Sequence, residues 1–155
     1  MSMPRAERLR GSGRIPDTLP YARGMRRIVL ALAAAATVVA GLAVHALAPL
    51  TFAGDFSADA LYAVLISLLV ALVLPRSPSW VPAIVAAAWC AGVEALQLTG
   101  LPEQWGLAWR PLMLVFGTVY SWWDLLAYAV GIAAVFVADS LIRMARPRAA
   151  GRDLS

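Results

Sequence analysis

The chain has 155 residues, of which 61% are hydrophobic and only 14% are charged, and its mean hydropathy is +0.74. A soluble domain carries about 45–50% apolar and about 25% charged residues, so this composition excludes an ordinary water-soluble domain. The high hydropathy also excludes a disordered chain. The formal net charge is +4, and all 13 basic residues are arginines. The composition predicts an all-α, polytopic membrane protein.

Four apolar segments predict a bundle of four transmembrane helices, with spans at about 27–48, 59–74, 80–98 and 122–142. The second segment is short for a span and ends at Pro75. The turn between the second and third segments is tight, so these two should form an antiparallel hairpin. We therefore expect three regions: a flexible basic tail at 1–25, a transmembrane domain at 26–142, and a second basic tail at 143–155.

The arginines predict the orientation of the bundle. Seven precede the first apolar segment and four follow the last, while Arg76 lies in the hairpin turn and Arg110 in the long connection 99–121. If the N-terminus is inside, twelve of the 13 are cytoplasmic, as the positive-inside rule requires. We expect a bacterial inner-membrane protein with both termini cytoplasmic. Because the basic tails flank apolar spans, we do not expect nucleic-acid binding.

Polar side chains from all four predicted spans fall near the outer membrane surface. Three of them are carboxylates, and the set comprises His45, Asp59, Tyr62, Glu94, Gln97, Asp124 and Tyr128. An acid at the centre of the membrane costs up to about 3 kcal/mol, so these acids should face the bundle interior. Small residues share their helical faces and allow close helix approach. The pattern predicts a polar, ligand-binding pocket near the outer face.

Some of these residues also have purely structural interpretations. Ser121 and Asp124 fit a capping box at the start of the fourth helix. Asp59 would lie in the first turn of its helix, where the dipole favours a negative charge. His45 is close to the interface, where packing alone explains many histidines. Asp139 forms an i, i+4 pair with Arg143, and this pair we expect to be structural.

Glu94 has no comparable structural explanation. It lies near the C-terminal end of its helix, where the helix dipole disfavours a carboxylate. Gln97, one turn later, can hydrogen-bond both Glu94 and a neighbouring helix. We therefore expect Glu94 to have a functional role, either directly or as part of a buried hydrogen-bond network. If the protein is an enzyme, Glu94 and Asp124 are the candidate catalytic residues, acting as acid and base.

The connection 99–121 is rich in aromatic residues. Trp105, Trp109, Tyr120, Trp122 and Trp123 match an aromatic belt at the membrane interface. Within the connection, the sequence PLMLVFG is too short to cross the membrane and predicts an interfacial or re-entrant segment. Arg110 precedes it and is a further candidate ligand-binding residue. It could pair with a cluster acid, meet a lipid phosphate or remain solvated.

Three stretches together resemble a bacterial family of small membrane proteins, the domain of unknown function 2809. They are GDFSADALYAVLISLLV, GVEALQLTGLP and RPLMLVFGTVYSWWDLLAYAVGI. The family has an acid before the second span, E-x-x-Q at the end of the third, and a G-T, W-x-D-L, Y-x-x-G series into the fourth. These positions correspond to Asp59, Glu94, Gln97, Gly117, Thr118, Trp122, Asp124, Tyr128 and Gly131. Phe116 replaces the usual Leu. The resemblance implies the same four-span architecture, and it implies no particular activity.

That family more distantly resembles the VanZ-like proteins, which are linked to glycopeptide (teicoplanin) resistance. The shared features are E-x-x-Q and a later acid followed by a helix of small residues. The chain departs from the VanZ-like pattern at Tyr128, where that pattern has Asn, and no His follows Asp59. Arg110 is also far from Asp124. These departures argue against transferring a resistance role.

Three functions fit these observations. The first is a non-enzymatic envelope protein whose outer pocket binds a lipid head group or an envelope partner, and it is the one we favour. The second is an intramembrane enzyme acting on a lipid-linked envelope substrate, and the third is a small proton-coupled carrier. The chain has no nucleophile motif, metal-ligand spacing or phosphate loop, so we expect neither a metal site nor a cofactor. Membrane lipids are the expected partners. A carrier with four spans would need a homo-oligomer.

Overall fold

The computed structural model describes residues 19–48, 51–117 and 120–145, and within these ranges the regular structure consists only of helices. They are α1 (Leu19–Leu47), α2 (Phe52–Val73), α3 (Trp80–Gln97), α4 (Leu101–Ala108), α5 (Pro111–Phe116) and α6 (Trp122–Ala145). The all-α prediction is confirmed for this part of the chain. Segments 1–18 and 146–155 of the predicted tails, and Thr118 of the family pattern, lie outside the described residues.

Four of the helices, α1, α2, α3 and α6, are long and apolar enough to cross a membrane. Many of their large apolar side chains are exposed, including Leu32 and Val39 of α1 and Val130 and Val137 of α6. In water such extensive apolar exposure would be unfavourable, whereas lipid tails accommodate it. These features support a multi-pass membrane protein. They agree with the four predicted spans.

Helix α2 begins at Phe52, earlier than the predicted start near residue 59. Thr51 is its N-cap and accepts a hydrogen bond from the Gly54 backbone N–H at 3.0 Å. This cap satisfies one of the free amides of the first turn and fixes the start of the helix. The resulting helix has 22 residues, so the prediction of a short second span was wrong. The first-turn acid is Asp55, while Asp59 lies further along the helix.

The centre of the bundle is the contact between α2 and α6. A side-chain carbon added to Gly131 of α6 would collide with the backbone carbonyl of Ala60 in α2. Only glycine therefore allows the two helices to approach this closely, as the small residues of the sequence predicted. The buried core beside this contact contains Ala63, Cys90 and Tyr128. Helix α3 packs against α2 and α6, and α1 packs against α2.

A network of charged residues joins three elements at one end of the bundle. The Asp139 carboxylate pairs with Arg26 at 3.2 Å and with Arg143 at 2.7 Å. It also accepts a hydrogen bond from the Ser79 hydroxyl at 2.7 Å, and Arg26 donates to the backbone carbonyl of Pro75. The predicted Asp139–Arg143 pair is confirmed. We name this end, formed by the start of α1, the α2–α3 turn and the end of α6, the terminal end, and the opposite end the loop end.

Candidate functional site

A cavity of about 530 Å³ opens at the loop end of the bundle. Its walls come from α1, α2, α3, α5 and the start of α6, and we call it the loop-end cavity. It is lined by His45, Phe52, Asp55, Phe56, Ala58, Asp59, Tyr62, Val93, Gln97, Met113, Val115, Phe116, Gly117, Ser121, Trp123, Asp124 and Tyr128. The volume lies within the range of about 300–1,000 Å³ that is typical of small-molecule sites.

Most of the residues predicted to form a site lie around this cavity. Six of them line it: His45, Asp59, Tyr62, Gln97, Asp124 and Tyr128. Glu94 is not part of the lining and lies behind Tyr128, to which it is hydrogen-bonded. Arg110 does not line the cavity either. Six residues that are far apart in the chain, and that were predicted to share one depth, therefore lie around one cavity.

Glu94 is buried between α3 and α6. Only 2% of its surface is exposed. Its Oε1 accepts a hydrogen bond from the Tyr128 hydroxyl at 2.9 Å, while Oε2 has no hydrogen-bond partner among the described residues. A buried carboxylate oxygen without a partner costs free energy. Glu94 thus carries an unused acceptor close to the cavity wall.

Gln97 links α3 to the connection that covers the cavity. Its Nε2 donates to the backbone carbonyl of Phe116 at 2.7 Å, which fixes the end of α5 against α3. This bond also sets the orientation of the amide, because a reversed amide would place two acceptor oxygens together. The Gln97 Oε1 is buried and has no partner in the described part of the chain. Gly117 permits the turn after α5 with a positive φ of 63°.

Asp59 and Asp124 meet across the α2–α6 interface. Both carboxyl groups line the loop-end cavity and lie close enough to interact with each other. The Asp124 backbone N–H donates to the Ser121 carbonyl at 3.1 Å. This is an ordinary first-turn bond and not the side-chain bond that defines a capping box, so the capping interpretation of Asp124 stays a prediction. The corresponding explanation of Asp59 was wrong, because α2 begins seven residues before it and the favourable dipole of the first turn does not extend that far.

Asp55 is a cavity residue that was not predicted from the sequence. Asp55 lines the cavity together with Asp59, one helical turn later. Residues four apart share a helical face, so this pair could have been recognised from spacing. It was missed because the start of α2 was placed after Asp55. The loop-end cavity therefore contains one more acid than predicted.

Aromatic rings form much of the remaining wall. Phe52 and Trp123 pack edge to face with ring centroids 5.3 Å apart. Tyr62 lies beside Tyr128, with centroids 6.2 Å apart, and its hydroxyl accepts a hydrogen bond from the Trp89 indole N–H at 2.8 Å. The two ring pairs join α2 to α6, and the Trp89–Tyr62 bond joins α3 to α2. They also surround the acids with rings whose faces carry partial negative charge.

The described part of the 99–121 connection contains two short helices, α4 and α5, and neither is long enough to cross a membrane. Helix α5 is the PLMLVF segment, and it supplies Met113, Val115 and Phe116 to the cavity wall. Arg110 lies at its N-cap and is exposed, without an ion pair to any described residue. Trp105 and Trp109 are also substantially exposed. Their exposure agrees with a belt of aromatic residues at a membrane interface.

The polar atoms that line the cavity are mainly oxygens, and they are better suited to accept hydrogen bonds from a ligand than to bind a metal ion. Among the described residues, no group of three or more His, Cys, Asp or Glu side chains is arranged to hold a metal. Carboxylate oxygens and the Gln97 amide oxygen are hydrogen-bond acceptors. No arginine lines the cavity within the described ranges. The arrangement can accept several hydrogen bonds from a positively charged or polar group.

Comparison with known proteins identifies the family of the chain. Residues 49–132, more than half of its length, match the model of a family described as Protein of unknown function (DUF2809). Neither the curated proteins nor the solved structures contain a match to this chain. The matched region contains every residue of the cavity lining except His45. The chain therefore belongs to the DUF2809 family.

Proposed function

We propose that this protein is a non-enzymatic, multi-pass protein of the bacterial inner membrane, and that its loop-end cavity binds the head group of a lipid or of a lipid-linked envelope molecule. One observation carries the proposal. Asp59, Gln97 and Asp124, from three separate spans, converge on a single cavity of about 530 Å³. Holding these polar groups together near a membrane is costly unless they meet a ligand or water.

The position of the cavity supports a ligand from the membrane. Residues near the ends of the four candidate spans line it, and in a bilayer that level would hold lipid head groups. Its wall combines acids with aromatic side chains such as Phe56 and Tyr62, which suits a molecule with both polar and apolar parts. The exposed apolar surface of the helices beside it would contact the acyl chains of the same molecule.

The arginine distribution supports an orientation with the cavity facing outward. The α2–α3 turn at the terminal end contains Arg76, and the start of α1 and the end of α6 at the same end contain Arg26 and Arg143. The loop end carries only Arg110. Under the positive-inside rule, the terminal end is cytoplasmic and the loop-end cavity faces the periplasm or cell exterior. A ligand of the cavity would then come from the outer leaflet or the envelope.

The position of Glu94 favours binding over catalysis. An acid–base catalyst must reach the reacting group directly or through one water molecule. Glu94 does not line the cavity, and one of its oxygens is occupied by Tyr128. Asp124 lines the cavity beside a second acid, Asp59, an arrangement suited to binding a positively charged group. These arrangements support a binding site in which Glu94 positions the wall.

Native mass spectrometry of the purified protein tests this proposal. The wild-type protein should retain a lipid or lipid-linked molecule at one copy per chain. An Asp59→Asn/Asp124→Asn variant should lose it, because both charges of the central acid pair are removed. Glu103→Gln is the matched control, since Glu103 is an exposed acid on α4 outside the cavity. Equal retention by the double variant and the wild type would contradict the proposal.

A further inference from the structure

We infer that the group held in the loop-end cavity is a primary ammonium, as in the head group of an aminophospholipid such as phosphatidylethanolamine. This inference rests on the proposed function and specifies its ligand. Four observations carry it: the charge of the cavity, the proximity of two acids, the unpaired Gln97 oxygen and the aromatic wall. Each of them favours a cation that can donate hydrogen bonds.

The charge of the cavity wall selects a cation. Asp55, Asp59 and Asp124 line the cavity, and the described part of the chain contributes no arginine to that lining. Among the described lining residues, His45 is the only one whose side chain has a titratable nitrogen. An enclosed site lined by charges of one sign concentrates ligands of the opposite sign. A phosphate group would be repelled from the interior and would remain at the mouth of the cavity.

The acid pair provides a position for that cation. The Asp59 and Asp124 carboxyl groups, one from α2 and one from α6, line the same cavity as close neighbours. Two carboxylates this close repel each other unless a positive charge, from a proton or a bound cation, lies with them. An ammonium between them would interact with both. Because the two acids come from different helices, such a ligand would also join α2 to α6.

The unpaired acceptor of Gln97 selects a cation with N–H groups. Gln97 is 7% exposed, lines the cavity, and its Oε1 has no partner among the described residues. The bond from its Nε2 to the Phe116 carbonyl leaves this buried oxygen as the amide atom without a partner. A primary ammonium has three donors and can satisfy the Gln97 oxygen and both acids. A quaternary ammonium has none.

The aromatic wall favours an organic cation over a metal ion. Rings do not ligate hard metal ions, but their faces attract ammonium groups within about 6 Å. Trp123 and Phe52 form such a wall beside Asp124. Within the described ranges, no cluster of His, Cys, Asp and Glu is suited to a metal. Acids and rings together are the combination that recognises ammonium ligands.

Competitive lipid binding tests the inference. The purified protein would be titrated, by native mass spectrometry, with four lipids of identical acyl chains: phosphatidylethanolamine, its N-acetyl derivative, phosphatidylcholine and phosphatidylglycerol. N-acetylation removes the positive charge of the amine and leaves the phosphate unchanged. The choline head group keeps the positive charge but has no N–H donors. Phosphatidylethanolamine should bind about tenfold more tightly than each of the others. Equal binding of the N-acetyl derivative or of phosphatidylcholine would overturn the inference.

Two variants locate the effect in the cavity. Asp59→Asn/Asp124→Asn should abolish the preference for phosphatidylethanolamine. Trp123→Leu, a change at a partly exposed ring that should leave the fold intact, should weaken it severalfold through the lost cation–π contact. Preference unchanged in both variants would overturn the inference. If the wild type retains lipid through this acid pair without any preference for the amine, the ammonium inference fails and the proposed function stands. If it retains none of the four lipids and no native lipid-linked molecule, the proposed function fails.

Discussion

The hydroxyl of Tyr128 in α6 donates a hydrogen bond to Glu94 Oε1 in α3, at 2.9 Å and inside the bundle. Both side chains are buried, Tyr128 being 5% exposed. This bond closes the wall behind the loop-end cavity. It also gives the Glu94 carboxylate its only hydrogen bond from another described side chain.

Removing this hydroxyl should destabilise the protein. Tyr128→Phe leaves both Glu94 oxygens without the tyrosine donor, and we expect the free energy of unfolding to fall by about 1–2 kcal/mol. Unfolding in mixed detergent micelles measures it. Tyr120→Phe is the control, because Tyr120 is an exposed tyrosine and undergoes the same chemical change. Equal stability of the two variants would show that the Tyr128–Glu94 bond contributes nothing.

The contact between α2 and α6 predicts a strong position dependence for glycine substitutions. Gly131→Ala should destabilise the bundle by about 1–3 kcal/mol, because the added carbon collides with the Ala60 carbonyl. Gly92→Ala is the matched control in a neighbouring span, where an added carbon meets no atom within 4 Å. Thermal unfolding in detergent compares them. Similar unfolding temperatures for both variants would contradict the packing described here.

The network at the terminal end should couple α1 to α6 energetically. A double-mutant cycle of Arg26→Ala and Asp139→Ala should give a coupling free energy of about 1 kcal/mol, since the pair is partly buried. The same cycle with Arg27→Ala should give none, because Arg27 is exposed and has no ion pair among the described residues. Coupling of equal size in both cycles would indicate a general charge effect rather than this contact.

Sidedness can be measured by cysteine labelling. Cys90 is the only cysteine and is 1% exposed, so the wild type should resist a membrane-impermeant maleimide. On a Cys90→Ala background, Glu103→Cys in α4 should react in intact cells. Arg76→Cys in the α2–α3 turn should react only after lysis. The reverse pattern would place the loop-end cavity in the cytoplasm and rule out an outer-leaflet ligand.

The number of spans and the convergence of distant residues could be predicted from the sequence, because both follow from two simple quantities. Apolar length sets the spans, and helical rise fixes the depth of residues such as Asp59 and Glu94. The start of α2 could not be located this way. The start of α2 depends on one capping bond, from the Gly54 backbone N–H to the Thr51 hydroxyl. The mixture of apolar and polar residues around Thr51 is also typical of a connection between two spans, so it does not indicate a helix start.

The wall formed by α5 was also beyond the reach of the sequence. Its position depends on a tertiary bond from Gln97 to the Phe116 carbonyl and on the positive φ of Gly117. Neither leaves a periodic pattern in the chain. For the same reason Arg110 was included among the site residues although it lies outside the cavity lining. Residues in irregular connections are placed by such individual contacts.

Photocrosslinking with a phosphatidylethanolamine analogue tests the central claim most directly. The analogue would carry a diazirine next to a free amine, and crosslinked peptides would be identified by mass spectrometry. Crosslinks should concentrate on Phe56, Met113 and Val115 of the cavity wall. Unlabelled phosphatidylethanolamine should compete for them, and its N-acetyl derivative should not. Crosslinks confined to the exposed apolar face of α1, such as Leu32 and Val39, and unaffected by competitor would contradict the account.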